Sequence, residues 1–193
     1  MTDWKITPTR TRSEFPRVLT QDDKIEIFRE RVTGWQIDVA DAVANGIKDR
    51  TGKVIKGEIE GSGFAVLDIL LSYFEMIAKY RDGYCDIGDS GKYFEKGFNM
   101  VFPEFREKSP WLAGKMYTNA RCGLYHHSMI EEDIILTGEV LSPITPLDGE
   151  RIIINPHTLV LKLREHFRTY IEELRNDKDF RYNFEKRFDY DNS

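Results

Sequence analysis

The sequence predicts an all-α fold, mainly a helical bundle, with one small β-hairpin. Apolar residues recur every three or four positions over several long segments, which is the pattern of amphipathic helices. Capping and turn residues bound these segments. Hydrophobic residues make up 40% of the 193 residues and charged residues 32%, without a low-complexity tract. This composition indicates a single globular domain.

The first twenty residues are expected to form an extended arm, because Pro8 and Pro16 interrupt any helix there. Thr20 and Asp23 then predict a capping box for a first helix from about Gln21 to about Ala44. Apolar residues spaced by three or four define its expected buried face. They are Ile25, Phe28, Val32, Trp35, Val39 and Val43.

Four further helices are expected, each next to a turn or capping residue. The segment 49–61 before them is predicted as a loop or short hairpin. Ser109 and Pro110 should open the fourth helix of the chain, with the serine as N-cap and the proline at the first helical position. Asn155 should cap the last long helix. The expected helices cover 62–81, 89–101, 111–128 and 156 to about 176.

Two short β-branched runs, Ile134–Leu136 and Ile152–Ile154, flank a turn region rich in Pro and Gly. They predict the antiparallel hairpin. Residues 177–193 are polar and aromatic, and are expected to form a C-terminal tail with at most one short helix. A single helical domain over residues 21–176 thus lies between the arm and the tail.

The charge balance limits the class of partner. Lys and Arg number 28 against 33 Asp and Glu, a net charge of −5, so any nucleic-acid site must be local. No basic stretch followed by an apolar run opens the chain, and no apolar run approaches the ~18 residues of a membrane span. We therefore expect a cytoplasmic protein without a membrane partner. Cys85 and Cys122 have no CxxC partner and are expected to be free thiols.

Neither a cofactor nor a metal is expected. Gly57, Gly61 and Gly63 lie too far from a strand-to-helix junction to form a phosphate-binding loop. His126 and His127 are adjacent and point about 100° apart on a helix, so they cannot share a metal as an i, i+4 pair does.

The most informative segment covers residues 117–128, on the fourth helix. A helical wheel assigns its core-facing side to Leu112, Met116, Ala120, Gly123 and His127. The opposite, semi-polar side holds Thr118, Cys122, Tyr125 and Met129, with Arg121 and His126 at its borders. A helix with a second face of this kind requires a partner.

Arg121 and His126 form an Arg-x4-His motif within Asn119-Ala-Arg-Cys-Gly-Leu-Tyr-His126. This segment of about a dozen residues resembles the R-x-GL-x-H form found in the HEPN superfamily (higher eukaryotes and prokaryotes nucleotide-binding domains). The resemblance implies a compact helical domain with the motif on a late helix, and in many members a dimeric, metal-independent endoribonuclease. It also implies RNA or a nucleotide as ligand and a defence or toxin system, with an antitoxin or another protein partner left open.

Arg121 and His126 fit RNA cleavage by the RNA's own 2′-hydroxyl. The imidazole can move a proton, and the guanidinium can stabilise the pentacoordinate phosphate. Because one chain supplies a single motif histidine, a two-fold dimer would supply the second acid or base. Asn119, Tyr125 and Cys122 are candidate auxiliary residues.

Two other interpretations remain. The first is a non-catalytic HEPN-like RNA-binding, nucleotide-binding or scaffold dimer. It is favoured by the net charge and by Cys122, which stands where the family's ribonucleases commonly carry Asn, Asp or His. The second is an unrelated helical adaptor with Arg121 and His126 as surface residues. Cations of the last helix form either a phosphate-contacting strip or a charged solvated face. They are Lys162, Arg164, His166 and Arg168.

Overall fold

The computed structural model describes residues 3–193 and is 62% helical, which confirms the predicted mostly helical class. The helices are α1 (Gln21–Arg31), α2 (Asp38–Asn45), α3 (Gly63–Asp82), α4 (Ser90–Val101), α5 (Phe105–Lys108), α6 (Leu112–Lys115), α7 (Gly123–His127), α8 (Pro156–Asn176) and α9 (Lys178–Asp191). Two π-helical segments, π1 (Val32–Ile37) and π2 (Met116–Cys122), join α1 to α2 and α6 to α7. The strands are β1 (Ile47–Lys48), β2 (Val54–Lys56), β3 (Ile134–Leu136), β4 (Ile144–Pro146) and β5 (Ile152–Ile154).

Helix α3 forms the centre of the core, as its apolar pattern predicts. It packs most extensively against α4 and also contacts α2, α8 and α9. The ring of Phe74 lies 5.2 Å from that of Phe94 and 5.4 Å from that of Phe98, between centroids. A Cβ atom on Gly97 would lie only 1.8 Å from the carbonyl oxygen of Phe74. The backbones of α3 and α4 therefore meet where a side chain has no room.

The first helical segment has the predicted length, and its buried face follows the prediction through Ile25, Phe28 and Val32 but not beyond. Thr20 and Asp23 form the predicted capping box. Beyond Val32, however, the next buried residue is Ile37, whereas Trp35 is 49% exposed. In π1 the hydrogen bonds run from i to i+5, so each turn of this segment contains more residues than a turn of a regular α-helix. The expected burial of Trp35, Val39 and Val43 is therefore wrong for the first two, and Val43 is half-buried.

The N-terminal arm lies against α1. Lys5 and Thr11 form an isolated antiparallel bridge, and Ile6 and Thr7 are buried. Arg10 at the end of this loop pairs with Glu30 at 2.7 Å. The arm is thus non-helical up to the short turn at 12–14 and supplies part of the core.

The predicted antiparallel hairpin of β3 and β5 is wrong. These strands pair in parallel, Ile134 opposite Ile152 and Leu136 opposite Ile154. The intervening segment contains β4, which pairs antiparallel with β5 in a sheet of order β3-β5-β4. Because β4 occupies the antiparallel place beside β5, β3 lies on its other side. By contrast, β1 and β2 form a short antiparallel hairpin, although β1 lies just before residues 49–61, for which the sequence predicts a loop or short hairpin.

The C-terminal helices close the core. Asn155 caps α8 as predicted, by accepting hydrogen bonds from the amides of His157 and Thr158. The segment predicted as a polar tail with one short helix forms the 14-residue α9, in which Phe180, Phe184 and Phe188 are buried. Within residues 3–193, none of the helices combines the length and apolar character that crossing a membrane requires.

We expect Gly97→Ala to lower the free energy of unfolding by about 3 kcal/mol or more, because the new methyl group overlaps the Phe74 carbonyl of α3. Urea denaturation of the parent and the variant measures the change. Gly114→Ala is the matched control. A Cβ there first meets Glu95 Oε1 at 3.5 Å, so this helical glycine should tolerate alanine or gain up to about 1 kcal/mol. Equal stability of the two variants would contradict the close α3–α4 crossing.

Candidate functional site

The motif helix consists of α6, π2 and α7. It begins at Leu112 with Trp111 as its N-cap, so the predicted capping by Ser109 with Pro110 at the first position is wrong. The amide of Leu112 instead donates to the Ser109 carbonyl, which makes Ser109 and Pro110 part of the turn that leads into the helix. Its buried side consists of Leu112, Ala113, Met116, Ala120, Gly123 and Leu124.

The expectation that His127 faces the core is wrong, because its side chain is exposed. The helix ends at His127, and Ser128 takes a left-handed backbone conformation with φ of 55°. The chain then folds back over the helix, so that a Cβ on Gly123 would lie 2.5 Å from the Met129 carbonyl oxygen. The returning backbone therefore covers the inner side of α7, and His127 lies beyond this cover.

Arg121 contacts both the central helix α3 and a neighbouring aromatic ring. Its guanidinium lies 3.9 Å from Glu75 Oε2 of α3, and its central carbon lies 4.7 Å from the Tyr125 ring centroid. A cation over a tyrosine face is attracted by the ring quadrupole. The side chain is 23% exposed. Arg121 thus connects the motif helix to the central helix and still reaches solvent.

Glu75 also binds two other groups. Its Oε1 accepts hydrogen bonds from Lys79 at 2.6 Å and from the Ser90 hydroxyl at 2.8 Å. Burial acts to raise the pKa of Glu75, but these hydrogen bonds and the charges of Lys79 and Arg121 together hold the pKa below its usual value. The carboxylate therefore stays ionised beside Arg121 at neutral pH.

Tyr125 lies between Arg121 and His126. Its ring is 70% exposed, and the centroid of the His126 ring lies 5.4 Å from its own. His126 is exposed and makes no side-chain hydrogen bond among residues 3–193. The structure thus places both predicted catalytic residues at one exposed aromatic ring without joining them directly.

A small cleft beside Arg121 separates the motif helix from α3. Its volume is about 150 Å³, and it is lined by Asp68, Leu71, Ser72, Arg121, Leu124 and Tyr125. Pockets that enclose a small ligand usually measure about 300–1,000 Å³. The cleft of the described chain is therefore smaller than a pocket that encloses a small ligand.

The three predicted auxiliary residues have different surroundings. The Asn119 amide donates to Asp133 at 2.9 Å, and Lys115 pairs with the same carboxylate at 2.7 Å. This bond ties the helix to the segment before β3 and occupies the Asn119 amide away from the cleft. Cys122 is half-buried and free. Burial, followed by a hydrogen bond with Cys122, raises the pKa of Tyr117.

Sequence reasoning missed Glu75, which contacts Arg121 from a helix 46 positions earlier in the numbering. Its Lys79 partner at i+4 on a mainly apolar helix is a signal of a paired carboxylate. Nothing in the sequence indicates that the pair faces Arg121.

The proposed cationic strip on α8 is not continuous. Arg164 pairs with Asp38 at 2.9 Å and with Asp41 at 2.7 Å, and Arg168 pairs with Glu172 at 3.0 Å. The Nδ1 atom of His166 lies 2.8 Å from the Tyr73 hydroxyl in a hydrogen bond with α3. Arg164 and His166 therefore connect α8 to neighbouring helices, whereas Arg168 pairs within α8.

Groups of three or more His, Cys, Asp or Glu with metal-binding geometry do not occur in residues 3–193. Comparison with protein-family models, with curated proteins and with solved structures gives no match. The HEPN-like assignment therefore stays a prediction from the motif residues.

The buried environment of His166 predicts a pH dependence of stability. Burial, with a smaller effect of the Lys162 charge, lowers the pKa of His166 to about 4 from 6.5. Between these values the unfolded chain binds the proton and the folded chain does not, so stability should fall as the pH falls from 6.5 to 4. The loss from this group is at most about 3 kcal/mol.

Urea denaturation at pH 6.5 and pH 4.5 tests this pH dependence, with His166→Gln as the variant that cannot titrate. The parent should lose more stability over this interval than the variant, because only the parent carries His166. The other titrating groups contribute equally to both proteins. Equal losses would show that His166 is protonated in the folded chain.

Proposed function

We propose that this protein is a HEPN-like dimer that cleaves RNA without a metal ion, with Arg121 and His126 as its catalytic residues. The alternative function is a non-catalytic dimer of the same kind. The proposed setting is a defence or toxin system in the cytoplasm.

One observation carries the proposal. The exposed Tyr125 ring contacts both Arg121 and His126, so a phosphate placed over this ring would lie between a guanidinium and an imidazole. Arg121 is held in this position by Glu75 and by the ring, whereas the His126 imidazole has no hydrogen-bond partner within the described chain. A positioned cation beside a free imidazole suits charge stabilisation and proton transfer.

The reaction that fits these groups balances without an external nucleophile. The 2′-hydroxyl oxygen of the RNA attacks the adjacent phosphorus, and the bond from phosphorus to the 5′-oxygen breaks. One neutral imidazole accepts the 2′-hydroxyl proton, and a second, protonated imidazole, from His126 of another copy, gives its proton to the leaving 5′-oxygen. The products are a 2′,3′-cyclic phosphate and a 5′-hydroxyl. Arg121 donates two parallel hydrogen bonds to the phosphate oxygens.

Dimerisation through the same surface is part of the proposal. It is supported by the small cleft, which one chain leaves open, and by apolar side chains exposed beside it. Tyr125 is 70% exposed and Met129 is 59% exposed. An interface that covers this surface should bury on the order of 1,600 Å² in total.

The alternative is a non-catalytic RNA-binding, nucleotide-binding or scaffold dimer. It is favoured by the acidic groups near Arg121, because Asp68 lines the cleft and Glu75 pairs with the guanidinium. These carboxylates, and the net charge of −5, weaken the attraction of a polyanion. Cys122 in place of the family's usual Asn, Asp or His points the same way.

We expect His126→Ala to lower the rate of RNA cleavage in EDTA by about 10²–10⁴-fold, because it removes a proton-transfer group. His127→Ala is the matched control. It removes an adjacent imidazole that is also exposed, and should leave the rate unchanged. Gel analysis of a labelled mixed RNA measures the rate, and end analysis should find 2′,3′-cyclic phosphates. DNA, which lacks the 2′-hydroxyl, should stay intact.

Two outcomes separate the interpretations. Binding of RNA without cleavage by the parent favours the non-catalytic dimer. Equal rates for His126→Ala and His127→Ala refute the role of His126. Arg121→Lys should also lower the rate of RNA cleavage below that of the parent, because a point charge cannot form the two parallel hydrogen bonds of the guanidinium.

We expect Tyr125→Asp to convert the dimer into a monomer, because it places a charge at the centre of the proposed interface. Tyr182→Asp on α9 is the matched control, since the Tyr182 side chain is also 70% exposed. Sedimentation velocity at micromolar concentration measures the mass. A monomeric parent, or a dimer that persists in Tyr125→Asp, would contradict the proposed interface.

A further inference from the structure

A second cavity lies beside α1, between the N-terminal arm and the end of α9. Its volume is about 460 Å³, within the range of small-molecule pockets. The arm contributes Trp4 and Arg12 to its lining, α1 contributes Arg31, and α9 contributes Phe188. The cavity has no residue in common with the cleft at Arg121. It is therefore a separate candidate site.

Three arginines line this cavity without a carboxylate partner in the part of the chain that the structure describes. They are Arg12, Arg17 and Arg31. Most other arginines of the helices form ion pairs, as Arg164 does with Asp38 and Asp41. Unpaired guanidinium groups around one cavity, in a chain of net charge −5, are a local positive field.

Two of these guanidinium groups are held in place by neutral acceptors. Arg12 donates to the carbonyl oxygens of Pro16 at 2.9 Å and Arg17 at 2.8 Å. Arg31 donates to the Ile6 carbonyl at 2.7 Å and to Asn192 Oδ1 at 2.8 Å. Such bonds orient the cations without neutralising them.

Burial lowers the pKa of Arg31, which shows that its charge is partly desolvated, while the charge of Asp191 acts in the opposite direction. Among the residues that line the cavity, the acidic one is Asp189, and it already pairs with Lys24 at 2.7 Å. Lys24 also binds Glu185 at 2.7 Å, so this lysine is fully paired. An anion in the cavity would therefore meet the three arginines rather than Lys24.

The rest of the lining is apolar and aromatic. Ile27 and Phe188 are buried beneath the cavity, and Trp4 at its edge is 62% exposed. The amide of Arg12 donates to the Trp4 carbonyl at 2.9 Å, and this hydrogen bond fixes the backbone of Trp4 next to the cationic groups. A planar ring can stack on an exposed tryptophan, and a phosphate can bind the guanidinium groups.

We propose that this cavity binds a small phosphate monoester that carries an aromatic ring, with the phosphate at Arg12, Arg17 and Arg31 and the ring against Trp4. The site is independent of the proposed RNA cleavage at His126. Its occupancy would join the arm to α1 and α9, because each of these elements contributes to the lining.

Isothermal titration of the full chain with AMP as the probe tests the proposal, at concentrations up to about 1 mM. AMP should bind saturably, adenosine should not bind, and inorganic phosphate should bind at least about tenfold more weakly than AMP. Arg17→Gln should weaken AMP binding about tenfold or more. Arg17 is exposed and its side chain makes no bond within the described chain, so the variant should stay folded.

The matched control is Arg106→Gln, which removes another exposed arginine without an ion pair in residues 3–193, on α5 and outside the cavity. It should bind AMP like the parent. Trp4→Leu should weaken AMP binding about tenfold and leave phosphate binding unchanged. No saturable AMP binding, or equal effects of Arg17→Gln and Arg106→Gln, would overturn the phosphate site. Adenosine binding as tight as AMP, or unchanged AMP binding in Trp4→Leu, would overturn the proposed orientation.

Discussion

The contact of Gly97 with the Phe74 carbonyl is the constraint on which the rest of the fold depends. It brings α4 so close to α3 that the rings of Phe94 and Phe98 reach Phe74 from both sides of the glycine. This crossing also places Ser90, at the start of α4, within 2.8 Å of Glu75. The same carboxylate then faces Arg121. The close packing of two helices thus determines where the motif cation can lie.

Helix periodicity predicted the existence and type of the helices well and their buried faces less well. The buried residues of α3 and α8 recur every three or four positions, because both helices are regular over their whole length, although Phe64 at the start of α3 is exposed. In the first helix the pattern fails after Val32, where π1 moves the buried position to Ile37. The insertion of an extra residue in a turn depends on packing between helices. A local pattern of apolar residues contains no information about it.

The prediction of strand pairing in the sheet was wrong for a related reason. Both β-branched runs form strands, but their pairing depends on β4, which contains Pro146 and follows Pro143. Prolines argue against a central strand and are tolerated at an edge, which is where β4 lies in the order β3-β5-β4.

The motif residues could be found from sequence because they lie within one helix. Glu75 could not, since its contact with Arg121 depends on the tertiary crossing of two helices.

The geometry of Glu75 determines how readily Arg121 can bind an anion. Lys79 lies 2.6 Å from this carboxylate, whereas Arg121 lies 3.9 Å from it. If Arg121 turned toward a phosphate, Glu75 would keep its shorter bonds to Lys79 and Ser90, and no buried charge would be left unpaired. Removing a partner from a buried charge is costly mainly when the other charge remains unpaired. Under the proposed function, Arg121 would therefore exchange its acidic partner for a phosphate at low cost while it stays against the Tyr125 ring, which also contacts His126.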